Sequence, residues 1–294
     1  MFGISLVFLT IIIIILYLGI CWRNQCKLNH MCFPANDLDV INLGSTYAFY
    51  DFNYNNFPLK GMNLANIPQY FDYDVIILKK YIKRLKKMGK VMIVIPIFDF
   101  IGKQTPTNKK VYYEALHPWE IRGFSMNNML KFIFRAAKEP FTHQYNKEKN
   151  KWKGHVASLE EKEKHAKGRV ADWEGNLGIP SVKSGMITEE LGQRIAINMR
   201  RVHELIELCH QNSIEPIIII PPVSAITKQY VSEECRQRFL YTPIEEIKNN
   251  FKIRVFDYMQ NKEFEDVSLY LNSDCLNQKG VNLFMKKIYE DIWC

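Results

Sequence analysis

Apolar residues form one uninterrupted run at the start of the chain. Residues 1–22 contain no charged side chain before Arg23, and a helix of that length spans roughly 33 Å, enough for a hydrocarbon core of about 30 Å. A cleaved signal peptide has a basic start, a shorter apolar stretch and a small-residue cleavage site, and this run lacks those features. The run therefore predicts a single transmembrane anchor, followed by a juxtamembrane linker over residues 23–37.

Shorter apolar runs farther along the chain alternate with stretches of helical periodicity. The tract Lys90–Pro96 is apolar after its first residue and Ile217–Ile220 is apolar throughout, which is typical of strands buried on both faces of a parallel sheet. Further strands are predicted at residues 38–44, 57–65 and 253–256, and helices at residues 69–88, 188–212, 230–249 and 280–293. The helix over 69–88 is expected to end at Gly89, a natural residue for a helix C-terminus.

This alternation predicts an α/β domain over residues 38–294, with a parallel sheet between layers of helices. Residues 102–185 are polar and rich in Lys and Glu, so they are interpreted as an insertion with some helix and loops. In parallel sheets, ligand sites form at the carboxyl ends of the strands. The loops after Leu43, Ala65, Ile95 and Ile220, together with the segment before the last helix, are therefore the places to search for chemistry.

Charge and cysteine content narrow the function classes. The net charge is +8, from 39 basic and 31 acidic residues, and its densest tract is Lys79–Lys87. Because apolar residues recur in that tract at helical spacing, a solvated helix face is favoured over a nucleic-acid patch. The seven cysteines show no paired or metal-ligand spacing, so neither a disulfide framework nor a zinc site is indicated. No metal or cofactor is expected.

Three short motifs fall in the loops where a site is expected. Asn42-Leu43-Gly44-Ser45 places a serine where the first strand turns into a helix, close to backbone N–H groups and the positive end of the helix dipole. Gly-Met-Asn-Leu-Ala follows at 61–65. Asn-Ser-Asp-Cys-Leu-Asn-Gln-Lys-Gly, residues 272–280, precedes the last helix.

Together these motifs resemble the SGNH, or GDSL-type, hydrolase superfamily, and especially its membrane-anchored bacterial members linked to acyl groups of cell-surface polysaccharides. The resemblance covers about residues 38–100 and 188–294, and it implies a flavodoxin-like three-layer α/β/α sandwich. It places Ser45 at the nucleophile position. It also implies binding roles for four polar residues of the later blocks: Asn63, Asn66, Asp274 and Asn277.

The sequence departs from the family pattern at the positions on which catalysis depends. Cys275 stands at the position of the family histidine and Asn272 at that of its aspartate, and a thiol is a poor proton relay. Pro68 falls near a position that supplies an oxyanion N–H, which proline lacks. The tract Pro96–Asp99 contains no asparagine. Losing one oxyanion donor typically costs about 10²–10³ in rate, so these departures together argue against ordinary hydrolysis.

Two functions remain open. The first is a catalytically degenerate SGNH-like protein that binds a surface glycan, an acyl-bearing partner or a membrane acyltransferase; Ser45 is then a helix N-cap and Cys275 a small buried thiol. The second is an active serine esterase or O-acyltransferase that uses Ser45 with an unconventional base. Candidate bases are Asp274 and the insertion's histidines: His117, His143, His155 and His165.

The resemblance and the charges disagree on membrane orientation. The family analogy implies a domain on the extracytoplasmic side of the cell membrane. Arg23 and Lys27 follow the anchor, and the positive-inside rule would place them, and the domain, in the cytoplasm. The analogy is preferred because the opposing bias rests on two charges.

Overall fold

Five short strands form one parallel sheet in the computed structural model, which describes residues 2–29, 31–32, 35–103, 109–139 and 156–294. The strands are β1 (Leu38–Leu43), β2 (Gly61–Asn63), β3 (Leu85–Val94), β4 (Glu215–Ile220) and β5 (Arg254–Asp257). Their order across the sheet is β2-β1-β3-β4-β5, and every pairing is parallel. The predicted α/β class with a parallel central sheet is confirmed.

Helices make up most of the remaining described chain. They are α1 (Phe2–Leu28), α2 (Thr46–Asp51), α3 (Phe71–Tyr81), α4 (Lys110–Ala115), α5 (Met126–Lys138), α6 (Leu159–Gly175), α7 (Glu189–Gln211), α8 (Ala225–Tyr230), α9 (Glu233–Arg236), α10 (Thr242–Phe251) and α11 (Gln278–Trp293). A π-helical turn, Gln237–Tyr241, joins α9 to α10. Among the sheet's helices, α3 packs against α7 and α2 against α11.

The chain divides into two compact units. The helical unit comprises residues 1–34 and 105–152, and the sheet unit comprises residues 35–104 and 153–294. The predicted insertion is therefore shared between the units, because α4 and α5 belong to the helical unit while α6 belongs to the sheet unit.

The core of the sheet unit lies along its central strands. Met92, Ile93 and Val94 of β3 are completely buried, as are Ile217, Ile218 and Ile219 of β4. Consecutive residues of a strand point to opposite faces, so both strands are covered on both sides, as their continuous apolar runs predicted. The predicted start of α7 is also confirmed, since Thr188 caps it by accepting a hydrogen bond from the Leu191 N–H.

The predicted helix over residues 69–88 is wrong at its end. The structure ends α3 at Tyr81, adds a 3₁₀ turn to Arg84 and begins β3 at Leu85, which pairs with Leu38. The pairing register then shifts before Val40 meets Lys90. Gly89 does not end a helix; it lies in this irregular stretch, where a Cβ would come within 2.9 Å of the Lys86 carbonyl oxygen. Pairing with β1 thus overrides the helical periodicity of the tract.

The first helix of the helical unit is long and apolar enough to cross a membrane. The candidate span, Val7–Lys27, has a mean hydropathy of 2.0, and nearly all of its side chains are exposed. Its polar end is held by α4: Asn29, just after α1, donates from Nδ2 to Glu114 Oε2 at 3.0 Å, and Lys110 Nζ donates to Gln25 Oε1. Buried polar groups are thereby matched with partners where the apolar run ends.

Candidate functional site

A cavity of about 250 Å³ opens at the carboxyl ends of β1 and β3. Ser45 and Thr46, which follow β1, form one side of it, and Pro96–Asp99, which follow β3, form another. Because both strands run in the same direction, the loops after them meet at one edge of the sheet. We refer to this space as the Ser45 cavity. The loop after Ala65 adds Pro68 and Tyr70, so three of the loops singled out in the sequence line the cavity.

Ser45 occupies the residue position before α2 without capping that helix. Its side chain makes no capping hydrogen bond, and its Oγ instead accepts the Gln69 N–H at 3.3 Å. The side chain is half-buried and lines the cavity. Ser45 thus has the position of a helix N-cap, but its side chain does not make the N-cap hydrogen bond.

Gly44 and Asp74 support the turn beneath Ser45. Gly44 has φ of +127°, and a Cβ there would approach the Val94 carbonyl oxygen to 2.8 Å, so only glycine fits. The Gly44 N–H donates to Asp74 Oδ1 at 3.1 Å, and Gln69 Nε2 donates to the same oxygen at 2.6 Å. Burial raises the pKa of Asp74 to about 7. The Gly44 N–H is therefore engaged and is not an oxyanion donor.

The polar residues of the second motif serve the backbone. Asn63 Nδ2 donates to the Ala48 carbonyl at 2.8 Å, and its Oδ1 accepts from Asn42 Nδ2 and from the Ala65 N–H, each at 3.0 Å. Asn66 Oδ1 accepts the N–H of the next residue at 2.8 Å. Neither asparagine lines the cavity, whereas Pro68 does. The loop after the second motif therefore lines the cavity with Pro68, which has no backbone N–H to donate.

Residues 272–277, which we call the closing segment, are held by hydrogen bonds within the sheet unit. Asn272 Oδ1 accepts the N–H groups of Asp274 and Cys275, both at 2.8 Å. The Ser273 carbonyl accepts the hydroxyls of Ser224 at 2.6 Å and Thr227 at 2.7 Å. Each of these bonds satisfies a main-chain N–H or carbonyl group. Hydrogen bonds within the sheet unit therefore fix the conformation of the closing segment.

Cys275 is a buried thiol within the closing segment. It is 3% exposed, and burial, together with the neighbouring carboxyls of Asp51 and Asp274, raises its thiol pKa well above the usual range. Asp51 is also buried and accepts the Leu276 N–H at 2.9 Å. Neither Cys275 nor Asn272 is among the described residues that line the Ser45 cavity. The position of the family histidine thus does not face the serine's cavity.

The remaining predicted residues of this segment are also in structural bonds. Asn277 caps α11, its Oδ1 accepting the Gly280 N–H at 3.1 Å, and its Nδ2 donates to the Ser268 carbonyl at 2.6 Å. Asp274 Oδ2 accepts from Arg169 Nε at 2.7 Å, and its Oδ1 accepts from Thr227 Oγ1 at 3.1 Å. Asp274 therefore connects with the cavity only through Arg169, which lines it.

Helix α6 supplies a part of the site that sequence reasoning missed. His165, Arg169 and Trp173 recur every fourth residue and so share one face of the helix. Arg169 and Trp173 line the cavity, where Trp173 packs on Phe98 with 4.8 Å between ring centroids. The sequence holds two signals for this helix: the shared spacing, and the capping box that Ser158 forms with Glu161.

Among the histidines proposed as substitute bases, His165 is the one described in the sheet unit. His165 Nδ1 lies 2.8 Å from Ser273 Oγ, and its Nε2 lies 3.5 Å from Asn272 Nδ2. Burial lowers its pKa, and it does not line the cavity. His117 belongs to the helical unit, while His143 and His155 lie outside the described residues.

Two acidic side chains, Asp99 and Asp172, line the cavity together with Ser45. Burial raises the pKa of Asp99 well above its usual range, and the nearby Asp74 carboxyl adds to the effect. Wall positions also come from Tyr47, Tyr70 and Phe98, so the cavity combines aromatic surfaces with a few polar groups. This composition is common in sites for small organic ligands.

Comparison with known proteins adds no family assignment: no family model and no curated protein matches this chain. Among the described residues, no group of three or more His, Cys, Asp or Glu side chains is arranged to hold a metal ion.

Proposed function

We propose that this chain is a membrane-anchored SGNH-hydrolase-like protein in which the cavity beside Ser45 binds a ligand without hydrolysing it. One observation carries the proposal: Ser45 lines an open cavity, whereas Cys275, at the position of the family base, is buried outside the lining. Among the described residues, no histidine lines the cavity to accept the proton of Ser45. The fold supports the analogy, because the strand order 2-1-3-4-5 is that of flavodoxin-like three-layer folds.

The proposed ligand is a surface glycan or its acyl-bearing form. Trp173, Tyr70 and Phe98 present ring surfaces to the cavity, and Arg169 and Asn176 add hydrogen-bonding groups. A sugar offers both apolar ring faces and hydroxyls, so it matches this mixture. A membrane acyltransferase is the corresponding protein partner, since it would share the bilayer with α1.

The location proposed is the cell membrane, with α1 as a single-pass anchor and the sheet unit on the extracytoplasmic side. The support for the span is the length and exposed apolar surface of Val7–Lys27. Protease treatment of intact cells tests the side: digestion of the sheet unit from outside supports the proposal, and full protection that is lost on lysis contradicts it.

An active esterase or acyltransferase is the second candidate, because Asp99 shares the cavity with Ser45. Burial raises its carboxyl pKa, as is common for acid–base groups in active sites. In this alternative the ionised Asp99 carboxylate would take the proton of Ser45, and no histidine would be needed.

A fluorophosphonate probe separates the two candidates. We expect no labelling of the wild type above that of Ser45→Ala. Labelling that Ser45→Ala abolishes and Asp99→Asn reduces would overturn the binding proposal in favour of the esterase. The double variant Asn272→Asp/Cys275→His is expected to stay unlabelled, because position 275 does not line the cavity.

A binding measurement tests the ligand class directly. Calorimetric titration with O-acetylated oligosaccharides should show binding that Trp173→Ala weakens by about tenfold, the equivalent of about 1.4 kcal/mol. Trp119→Ala is the matched control, since Trp119 is exposed in the helical unit and does not line the cavity. Equal weakening by both variants would contradict the assignment of the cavity as the site.

A further inference from the structure

Helix α5 packs beside the candidate membrane span within the helical unit. Tyr17 Oη donates to the Ala137 carbonyl at 3.3 Å, and Gln25 Nε2 donates to the Glu139 carbonyl at 2.6 Å. Cys21, between these two α1 residues, is 4% exposed, although the side chains around it on α1 are mostly exposed. The C-terminal end of α5 therefore meets α1 between residues 17 and 25.

This contact falls in the half of the span that ends in charged residues. Tyr17 is the midpoint of Val7–Lys27, so Cys21 lies about 6 Å and Gln25 about 12 Å along the axis from the centre. Half of a hydrocarbon core is about 15 Å, and the uncharged run ends before Arg23. If α1 crosses a bilayer, the end of α5 thus meets it in one leaflet, from the centre of the span toward the polar boundary.

The side chains of α5 fall into three sectors around its axis at 100° per residue. A packed sector includes Ala136, which is 1% exposed, and Phe132, whose ring lies 5.1 Å from that of Tyr113. An exposed apolar sector contains three residues at a spacing of four, and their exposed fractions are 61%, 43% and 53% for Met126, Leu130 and Phe134, respectively. A cationic sector contains Lys131, Arg135 and Lys138.

The contacts of the packed sector leave the exposed apolar sector uncovered. A further apolar partner is therefore expected to bury these side chains. Three large apolar side chains in a row on an otherwise charged helix are costly to leave in water. The same helical unit already exposes the apolar side chains of α1, such as Ile20. An apolar stripe flanked by cations is the pattern of helices that lie in the plane of a membrane interface.

We propose that α5 is an interfacial helix: its apolar stripe (Met126, Leu130 and Phe134) enters the acyl-chain boundary of the bilayer that α1 spans. Its cationic sector then faces anionic lipid headgroups. The inference rests on the proposed membrane anchoring of α1. It adds a second membrane contact, which would restrict how α1 tilts in the bilayer.

Photocrosslinking of the full chain in vesicles of phosphatidylcholine and phosphatidylglycerol tests this placement. A benzophenone side chain replaces Phe134 in one variant, Leu130 in a second, Arg135 in a third and Ile12 in a fourth. These positions are exposed, or on α1, so the substitutions leave the packed sector intact. Mass spectrometry then measures adducts on lipid acyl chains.

We expect acyl-chain adducts at positions 12, 130 and 134, and at least about fivefold fewer at 135, on the opposite side of the helix. Adducts at 12 with no excess at 130 and 134 over 135 would overturn the interfacial helix while leaving the anchor intact. Crosslinks from 134 to a second copy of the chain would also overturn it. The absence of adducts at 12 would instead contradict the anchor itself, and the inference with it.

Discussion

The Ser45 side and the closing segment of the sheet unit differ in what satisfies their polar groups. On the Ser45 side, the serine hydroxyl accepts one long hydrogen bond and lines a cavity of about 250 Å³. On the closing-segment side, the side chain of Asn272 and the carbonyl of Ser273 are each bound twice within the core. One side is open to a ligand, and the other is closed by the protein.

This difference shows that a sequence motif can keep a structural role without a chemical one. An aspartate at position 272 would accept the same two N–H groups that Asn272 accepts, so the turn survives the replacement. A histidine at position 275 would be larger than the cysteine and would have to fit where the thiol is now 3% exposed. The segment therefore keeps the backbone of the motif while Cys275 serves as a small core residue.

The largest expected effect concerns Asp74, which supports the Ser45 side. Since its pKa is raised to about 7, the unfolded chain ionises it near pH 4 while the folded state still holds the proton. The free energy of unfolding should therefore fall as pH rises from about 4 to about 7, by roughly 1.4 kcal/mol per unit and roughly 4 kcal/mol in all, and level off above that range.

Asp74→Asn should make this fall shallower, which urea unfolding at several pH values can measure through tryptophan fluorescence. The buried carboxyls of Asp51 and Asp99, whose pKa values are also raised, account for the fall that remains. The amide can keep an oxygen at the place where Asp74 Oδ1 accepts from Gly44 and Gln69. Parallel pH curves for the wild type and the variant would show that Asp74 is already ionised in the folded protein.

The next effect concerns the closing segment. Asn272→Ala removes the acceptor of two buried N–H groups, so the free energy of unfolding should fall by about 2–4 kcal/mol. Asn272→Asp is the matched control, because its carboxylate accepts the same bonds, and it should lose less than half as much. Equal losses in urea unfolding would contradict the assigned role of the Asn272 oxygen.

The smallest effect compares one serine from each side. Ser224 is completely buried and donates to the Ser273 carbonyl at 2.6 Å, so Ser224→Ala should cost about 1–2 kcal/mol. Ser45→Ala should cost less than about 0.5 kcal/mol, because the hydroxyl is half-buried and its bond is long. A larger loss for Ser45→Ala in the same unfolding assay would make Ser45 a structural residue and would remove the contrast between the sides.

Sequence patterns predicted the elements whose packing is uniform along their length. The continuous apolar runs at Val91–Val94 and Ile217–Ile220 indicated strands buried on both faces, and the stripe from Leu191 to Cys209 indicated α7, both as found. The tract before β3 was mispredicted because its helical spacing competes with strand pairing to β1, a partner distant in sequence. Local periodicity carries no information about such a partner.

The candidate site likewise has one part that the sequence predicted and one part that it did not. The position of Ser45 at the carboxyl edge followed from the order of strands and loops. The contribution of α6 did not, because Arg169 reaches Asp274, 105 positions away, only once the chain has folded. The environment of Cys275 is equally a product of folding, since Asp51 approaches it from the other end of the unit.

What the sequence alone determined is the class of structure: a chain with an apolar helix of membrane-spanning length and a parallel α/β sheet, because burial of apolar side chains follows the local period. The tertiary structure decided which motif residues face a cavity and which are closed into the core. That choice depends on the partners each polar group finds across the fold, and hydrogen bonding between distant segments leaves no trace in local sequence.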